Sequence, residues 1–259
     1  MKLLDYNLIR EFYNNHQRCW PDDLFSKMTT SFIAGFVSKI AQSYTYRDTI
    51  LNAGSGGKVY PTKATFFHLD IAENTIRDLD NAFVGNIIEM PFSAHQFDCA
   101  ICVGTVINYC EADKAIRELN RVLKLGGNLV LEYERSGSGF VIKDLRNTDS
   151  VLFHHTYYDE PHVNLLYSEK YIKSLVIRNG FEILKQCRFN TTLPLMEKLF
   201  SDASAHKLAF IEPILRHVPL LNRYSHNMIL LCMKTDDVLL DKDNSPLPEI
   251  KVKEMTMKL

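Results

Sequence analysis

Ile50-Leu51-Asn52-Ala53-Gly54-Ser55-Gly56-Gly57 decides how this 259-residue chain is put together. A short apolar run, the signature of a buried strand, ends in a glycine-rich turn. Glycine has no Cβ, so the backbone there can bend sharply and approach a bound group closely. In parallel sheets ligands bind beyond the carboxyl ends of strands, which is where this turn falls. A purely structural turn would use the same residues, so the motif needs a partner elsewhere. Two phosphate readings fail on single residues. A dinucleotide fingerprint needs a small residue at position 59, and the chain has Val59 followed by Tyr60-Pro61. A phosphate-binding loop needs Gly-Lys-Ser/Thr, and Gly57-Lys58 is followed by Val59. A nicotinamide-dependent dehydrogenase is disfavoured on the same ground.

Working outward, the partner is Asp70, 16 residues beyond Gly54, at the end of a second apolar run at 65–71. A carboxylate there can accept both hydroxyl hydrogens of a ribose. Asp70-Ile71-Ala72-Glu73 also resembles a capping box, so a helix N-cap competes with the ligand reading. Further apolar runs at 82–84, 97–103, 128–133, 181–187 and 227–233 alternate with helical stretches. Phe32, Ile33, Phe36, Val37, Ile40, Ala41 and Tyr44 make one helix face, which Thr30 or Ser31 can cap. Ala115, Leu119, Val122 and Leu123 make another, stopped by a basic last turn and glycines at Lys124-Leu125-Gly126-Gly127. Tyr171, Ile172, Leu175 and Val176 make a third, ended by Gly180. Strands alternating with helices predict an α/β fold: a Rossmann-like, doubly wound, mostly parallel seven-stranded sheet covered on both faces. N-terminal helices precede it, and a helical insertion at 194–217 precedes the last strand.

Composition narrows the function. Thirty basic residues against 31 acidic ones leave a net charge of −1, which argues against a nucleic acid held by bulk electrostatics. Asp5 and Arg10 interrupt the N-terminal stretch where a signal peptide needs an apolar core, and no run reaches the ~18 apolar residues of a spanning helix. These features predict a cytoplasmic protein without a membrane span. Cys99 and Cys102 form a CxxC inside an apolar strand, where residues i and i+3 point to opposite faces. They read as small core residues, not as a metal or redox pair.

The order of these motifs resembles the class I S-adenosylmethionine-dependent methyltransferases, of the type 11 or type 25 kind. Ile50–Gly57 is similar to their first motif, and His68-Leu69-Asp70 to the acidic end of their second strand. The segment from Gly85 to Phe92, the run Phe97-Asp98 with Val103-Gly104, and Glu118–Gly127 follow in the family's order. The resemblance covers about residues 45–190 and the strand near 227–233. It implies S-adenosylmethionine as cofactor and S-adenosylhomocysteine as product. It also implies a cofactor set of Asn52, Ala53, Gly54, Gly56, Asp70, Ile71, Asn86, Ile87, Val103 and Gly104. Gly54 and Gly56 would approach the amino-acid end, Asp70 the ribose, and Asn86 with Ile87 the adenine. Asn52 and Asn86 stand where the family often has acids, and Lys58 replaces a third glycine.

The acceptor side is expected in the additions to that core. An N-terminal cap at 1–48 precedes the methyltransferase domain at 49–235, and a polar, loosely held tail follows at 236–259. Residues 136–167 lose periodicity and read as a lid. His154, His155 and Tyr109 are the expected catalytic groups, a histidine being suited to take a proton near neutral pH. Tyr157, Tyr158 and His162 are expected to touch the substrate. The histidine spacing does not match a zinc site, so no metal is expected. Glu132 and Glu134 share a strand face and read either as a solvated strand end or as a site for a cationic substrate. The loop Asn108-Tyr109-Cys110-Glu111 lacks the motif with which related enzymes methylate bases. The expected reaction is O-methylation of a small or medium-sized molecule by in-line transfer. N-methylation of a small amine, or a catalytically inactive cofactor-binding regulatory protein, are the alternatives. The expected partner is a small-molecule substrate, with a homo-oligomer left open.

Overall fold

The computed structural model describes residues 4–16, 20–137, 148–158, 160–191 and 218–237, and the backbone of 252–256. The expected insertion at 194–217 and residues 138–147 of the expected lid lie outside them. Two helices come first, α1 (Tyr6–Asn15) and α2 (Leu24–Ala41). The strands β1 (Thr49–Ala53), β2 (Thr65–Asp70), β3 (Ala82–Val84), β4 (Phe97–Cys102) and β5 (Leu123–Glu134) follow. Then come a hairpin, β6 (Ser150–Tyr157) and β7 (Glu160–Tyr167), and strands β8 (Phe181–Phe189), β9 (Asn227–Lys234) and β10 (Val252–Thr256). Helix α3 (Ala112–Val122) leads into β5, and α4 (Glu169–Arg178) into β8.

The main sheet has seven strands in the order β3-β2-β1-β4-β5-β9-β8. All pairs from β3 to β5 are parallel, and β9 runs antiparallel to both β5 and β8. The seven-stranded, mostly parallel sheet is therefore the one the sequence predicts. Strand order reverses between β1 and β4, and such a switch point opens a crevice at the carboxyl ends of those strands.

Not every crossover carries the expected helix. Between β1 and β2 the chain holds only turns, and between β2 and β3 a single 3-10 turn, Glu73–Thr75. Gly56, Gly57 and Pro61 leave too little uninterrupted chain for a helix there. Helix α2 covers that face instead. Its Ile33, Val37 and Ala41 pack with Ile50, Cys99, Ile101 and Ile229 in one apolar cluster. Its N-cap is Asp23, whose carboxylate accepts from Ser26 N at 2.6 Å, so the helix begins well before Thr30 and Ser31. On the opposite face Ala115, Leu119, Ile172 and Leu175 of α3 and α4 pack with Leu51, Ala100, Cys102 and Leu129. Cys99 and Cys102 are free, buried thiols in different clusters, as alternation along a strand requires.

Three further expectations are corrected. Strand β5 begins at Leu123, and Lys124–Gly127 is an extended bulge: the partners of Phe97 and Cys99 are Leu123 and Asn128. Gly126 takes φ 76° there. The expected irregular lid is in its described part an antiparallel hairpin. The tail is not wholly loose, because β10 pairs in parallel with β6 and makes a three-stranded sheet with the hairpin.

Candidate functional site

The glycine turn is fixed from below by β2. Gly54 N and Ser55 N both donate to Leu69 O, at 2.8 and 3.0 Å. Gly54 sits at φ 75°, and a Cβ there would stand 2.3 Å from the Val106 side chain. Asn52 donates from its amide to Lys58 O (2.9 Å) and Ser55 Oγ (3.3 Å), so it braces the turn from inside. Asp70 Oδ1 accepts from Ala72 N at 2.9 Å and Oδ2 from Gly56 N at 2.7 Å; the N-cap of the 3-10 turn is Ala72, so Asp70 is not the helix cap the sequence offered. Burial raises the Asp70 pKa, opposed by these backbone bonds.

The loop after β4 is held from β5. Gly104 N and Thr105 N both donate to Glu132 Oε2, at 2.9 and 2.8 Å, and Asn227 Nδ2 donates to Glu132 Oε1 at 2.7 Å. Glu132 is fully buried, so the solvated strand end is wrong for it. Strand β5 is an interior strand, flanked by β4 and β9, and its side chains meet neighbours instead of water. Burial pushes the Glu132 pKa up to about 7 despite those donors. Thr105 sits in the left-handed region at φ 62°, a strained conformation for a β-branched residue that two bonds to one carboxylate help to hold.

Glu134, two residues on, is half-buried. Its Oε2 accepts from Asn164 Nδ2 at 3.0 Å, and its Oε1 stands 3.4 Å from His226 Nε2. Burial raises its pKa, but His226, His155 and Asn164 hold it below the ordinary carboxylate value.

One cavity of about 670 Å³ joins these parts. Asn52, Gly54, Gly56, Asp70, Ile71, Asn86, Ile87, Val103 and Gly104 of the expected cofactor set all line it; Ala53 does not. Tyr109, His155, Tyr157 and Tyr158 line its other end. His154 does not, because it alternates with His155 along β6 and points to the opposite face. His162 pairs with His155 across the hairpin and is buried against Phe12, ring centroids 4.6 Å apart, behind the cavity wall. Burial lowers its pKa to about 4. The cavity also contains Glu134, one of the two carboxylates the sequence offered for a cationic substrate, and residues that the sequence did not single out: Tyr13, Trp20, Phe25, Asn164 and His226. The latter come from α1, the chain before α2, α2, β7 and the entry of β9, with no shared local motif. Among the described residues no group of His, Cys, Asp and Glu is arranged to hold a metal. No described helix is long and apolar enough to cross a membrane.

The residues present fit an adenosyl cofactor. The turn at Gly54 leaves no room for a side chain, and Asp70 presents a hydrogen-bond acceptor at the end of β2. Ile71 and Ile87 supply apolar wall, and Asn86 an amide, at the same end of the cavity.

Residues 51–131 match the family model described as "Methyltransferase domain". The ubiquinone/menaquinone biosynthesis C-methyltransferase UbiE of Haemophilus ducreyi is 31% identical over 88 residues, covering 32% of this chain. The match spans 34% of that relative, about a third of its length. Among solved structures, the 4+2 cyclase SpnF aligns with TM-score 0.59 at 14% identity, over 89% of this chain and 96% of its own. Geranyl diphosphate C-methyltransferase from Streptomyces coelicolor A3(2), solved with Mg2+, geranyl diphosphate and S-adenosylhomocysteine, aligns with TM-score 0.58 at 13% identity. That alignment covers 90% of this chain and 98% of the other. A cyclase and a methyltransferase at almost equal similarity show that the fold does not by itself name the reaction. The chain shares the fold of these solved structures, and its residues 51–131 match a methyltransferase domain.

Proposed function

We propose that the protein transfers a methyl group from S-adenosylmethionine to a small, largely apolar acceptor, and that His155 takes the proton the acceptor releases. The observation that carries this is the single cavity, which holds the glycine turn, Asp70 and Asn86 at one end and Tyr109, Glu134 and His155 at the other. Its volume falls within the range of ligand sites, roughly 300–1,000 Å³. When bound, the cofactor supplies an electrophilic methyl on a sulfonium. The chain's part is to hold the acceptor in line and keep water out. The backbone at Gly54, Gly56 and Gly104 would admit the cofactor, Asp70 would accept from its ribose hydroxyls, and Asn86 with Ile87 would meet its adenine.

Of His154, His155 and His162, only His155 lines the cavity. Burial lowers its pKa below the ordinary 6.5, partly offset by Glu134. It is therefore neutral near pH 7 and able to accept a proton. That supports methylation of oxygen. A second reading, methylation of carbon, is favoured by the names of the two methyltransferases reported above, and the same base would serve it. The buried free thiols, and a chain with no described spanning helix, support a cytoplasmic setting.

Calorimetry with S-adenosylhomocysteine, followed by methyl-labelled donor and a panel of phenols, tests the proposal. Binding that is lost in Asp70→Ala and a label on oxygen are the expected results. A label on carbon selects the second reading, and absence of binding removes both.

A further inference from the structure

The acceptor end of the cavity is chemically one-sided. Ile9, Tyr13, Phe25, Phe153 and Leu166 give it an apolar and largely aromatic wall, and the Trp20 ring stands beside Gly104. Four described charged side chains reach the cavity: Asp23, Lys58, Asp70 and Glu134. Asp23 is committed to capping α2, with its carboxylate on Ser26 N and Ser26 Oγ. Lys58 belongs to the glycine turn, and Asp70 is bonded to that turn through Gly56. Glu134 alone stands with the acceptor-side groups.

Its surroundings leave it able to receive a ligand. Oε2 takes one bond from Asn164, and Oε1 has His226 Nε2 at 3.4 Å, while an ionised carboxylate offers about four acceptor sites. Asn164 is 2% exposed and lines the cavity, and its Oδ1 is buried without a hydrogen-bond partner. Nδ1 of His155 is likewise buried and unpartnered. Orphaned buried polar atoms are uncommon in native proteins and call for a group that satisfies them. Asn164 donates to Glu134 and His226 stands beside it, and its pKa lies below the ordinary carboxylate value, so the charge it presents near pH 7 is negative. An anionic head placed beside it would meet repulsion, and Lys58, the lysine of the described lining, belongs to the glycine turn.

We propose that the acceptor is an aromatic or otherwise apolar molecule whose polar head is a hydrogen-bond donor, an ammonium or a hydroxyl, anchored on Glu134. Beside Glu134, phosphate or carboxylate heads rank below donor heads. The proposal rests on the methyltransferase reading for the word acceptor, but not for the binding itself.

The test uses three probes with one ring system and different heads: 2-naphthylmethylamine, 2-naphthol and 2-naphthoate. Each is titrated into the full chain by calorimetry at pH 7, with and without saturating S-adenosylhomocysteine. The amine or the naphthol is expected to bind roughly 10- to 100-fold more tightly than the naphthoate, the size of a charge-assisted hydrogen bond. Glu134→Gln is expected to erase that margin while S-adenosylhomocysteine still binds, and Glu134→Asp to retain part of it. Naphthoate or geranyl diphosphate binding as tightly as the donor probes overturns the proposal. So does a margin that survives Glu134→Gln, or failure of both donor probes to bind. If Glu134→Gln does not fold, the ranking of the three heads on the unmodified protein decides. Donor-probe binding without S-adenosylhomocysteine binding would remove the methyltransferase reading and leave this site standing. The reverse result would remove this site alone.

Discussion

The two ends of the cavity are built by different means. At the glycine end the working groups are mostly backbone, fixed by neighbours close in sequence: Gly54 and Ser55 hang on Leu69, and Gly56 on Asp70. At the acceptor end they are side chains drawn from α1, β5, β6, β7 and the entry of β9, brought together only by the finished fold. Backbone turns are hard to alter without losing the turn, whereas side chains on separate strands can change one at a time. The first end is thus suited to a constant ligand and the second to a specific one. If that division holds, substitutions at one end leave binding at the other unchanged.

The largest test of it is His155→Gln. Loss of a general base typically costs about 10²–10⁴ in rate. We expect kcat, read as S-adenosylhomocysteine release with the best acceptor found, to drop by that order. S-adenosylhomocysteine affinity should stay within about twofold. In the unmodified protein kcat/KM should fall on the acid side, below the ordinary histidine range, because burial lowers the pKa of His155. A matching loss of cofactor affinity would contradict the separation of the two ends.

The next effect lies behind the cavity lining, at Glu132, which holds the backbone of Gly104 and Thr105. Its pKa rises from an ordinary 4.5 to about 7 on folding, so between those values the folded state holds more protons than the unfolded one. Stability from this group is complete below pH 4.5 and is lost as pH rises through about 7. The shift corresponds to roughly 3 kcal/mol. Denaturant midpoints measured across pH 4.5–7.5 should show this slope, and Glu132→Gln should flatten it. A slope unchanged by that substitution would assign it to other groups.

The same contrast explains what was legible in the sequence. The strands of the main sheet are continuous apolar runs because both faces are covered, and such runs show in any window. The glycine turn and Asp70 are visible because their partners lie 13 to 16 residues away. The hairpin was harder to see. Phe153, His155 and Tyr157 alternate as a strand should, but His154 and Thr156 between them are not clearly polar faces of an amphipathic strand. Two adjacent histidines and two adjacent tyrosines then read as loop. The missing crossover helices could be anticipated from Gly56, Gly57 and Pro61, yet nothing local says that α2 takes their place, since that depends on packing across the chain. Asn164 and His226 carry no motif at all. Their meeting with Glu134 depends on the register of β5 with β9, which pairs Glu134 with Asn227, and on β7 lying close by.

Gly54→Ala comes third. The new Cβ would stand 2.3 Å from the Val106 side chain and would occupy φ 75°, a region that side chains rarely adopt. Strain of that kind costs about 1–3 kcal/mol. Thermal melts should register it, and calorimetry should show weaker S-adenosylhomocysteine binding. Val106→Ala added to it should restore part of both, because two of the three closest atoms are the Val106 methyls. Lost stability with unchanged S-adenosylhomocysteine binding would show that the turn serves the fold and not the ligand.

Asp70→Asn has the smallest expected effect and the sharpest meaning. In the carboxylate, Oδ1 accepts from Ala72 N just ahead of the 3-10 turn, and Oδ2 holds the glycine turn through Gly56 N. The amide keeps one acceptor and turns the other into a donor facing an N–H. One hydrogen bond is therefore lost wherever the amide nitrogen settles. If it settles toward Ala72, the local turn weakens, stability falls by about 1 kcal/mol, and cofactor affinity is spared. If it settles toward Gly56, or if the carboxylate itself meets the ribose, S-adenosylhomocysteine affinity falls about tenfold. We expect the second, together with unchanged binding of the acceptor-side probes. Melting and calorimetry on the same variant separate the two roles, because a turn contact and a ligand contact leave different traces in the two measurements.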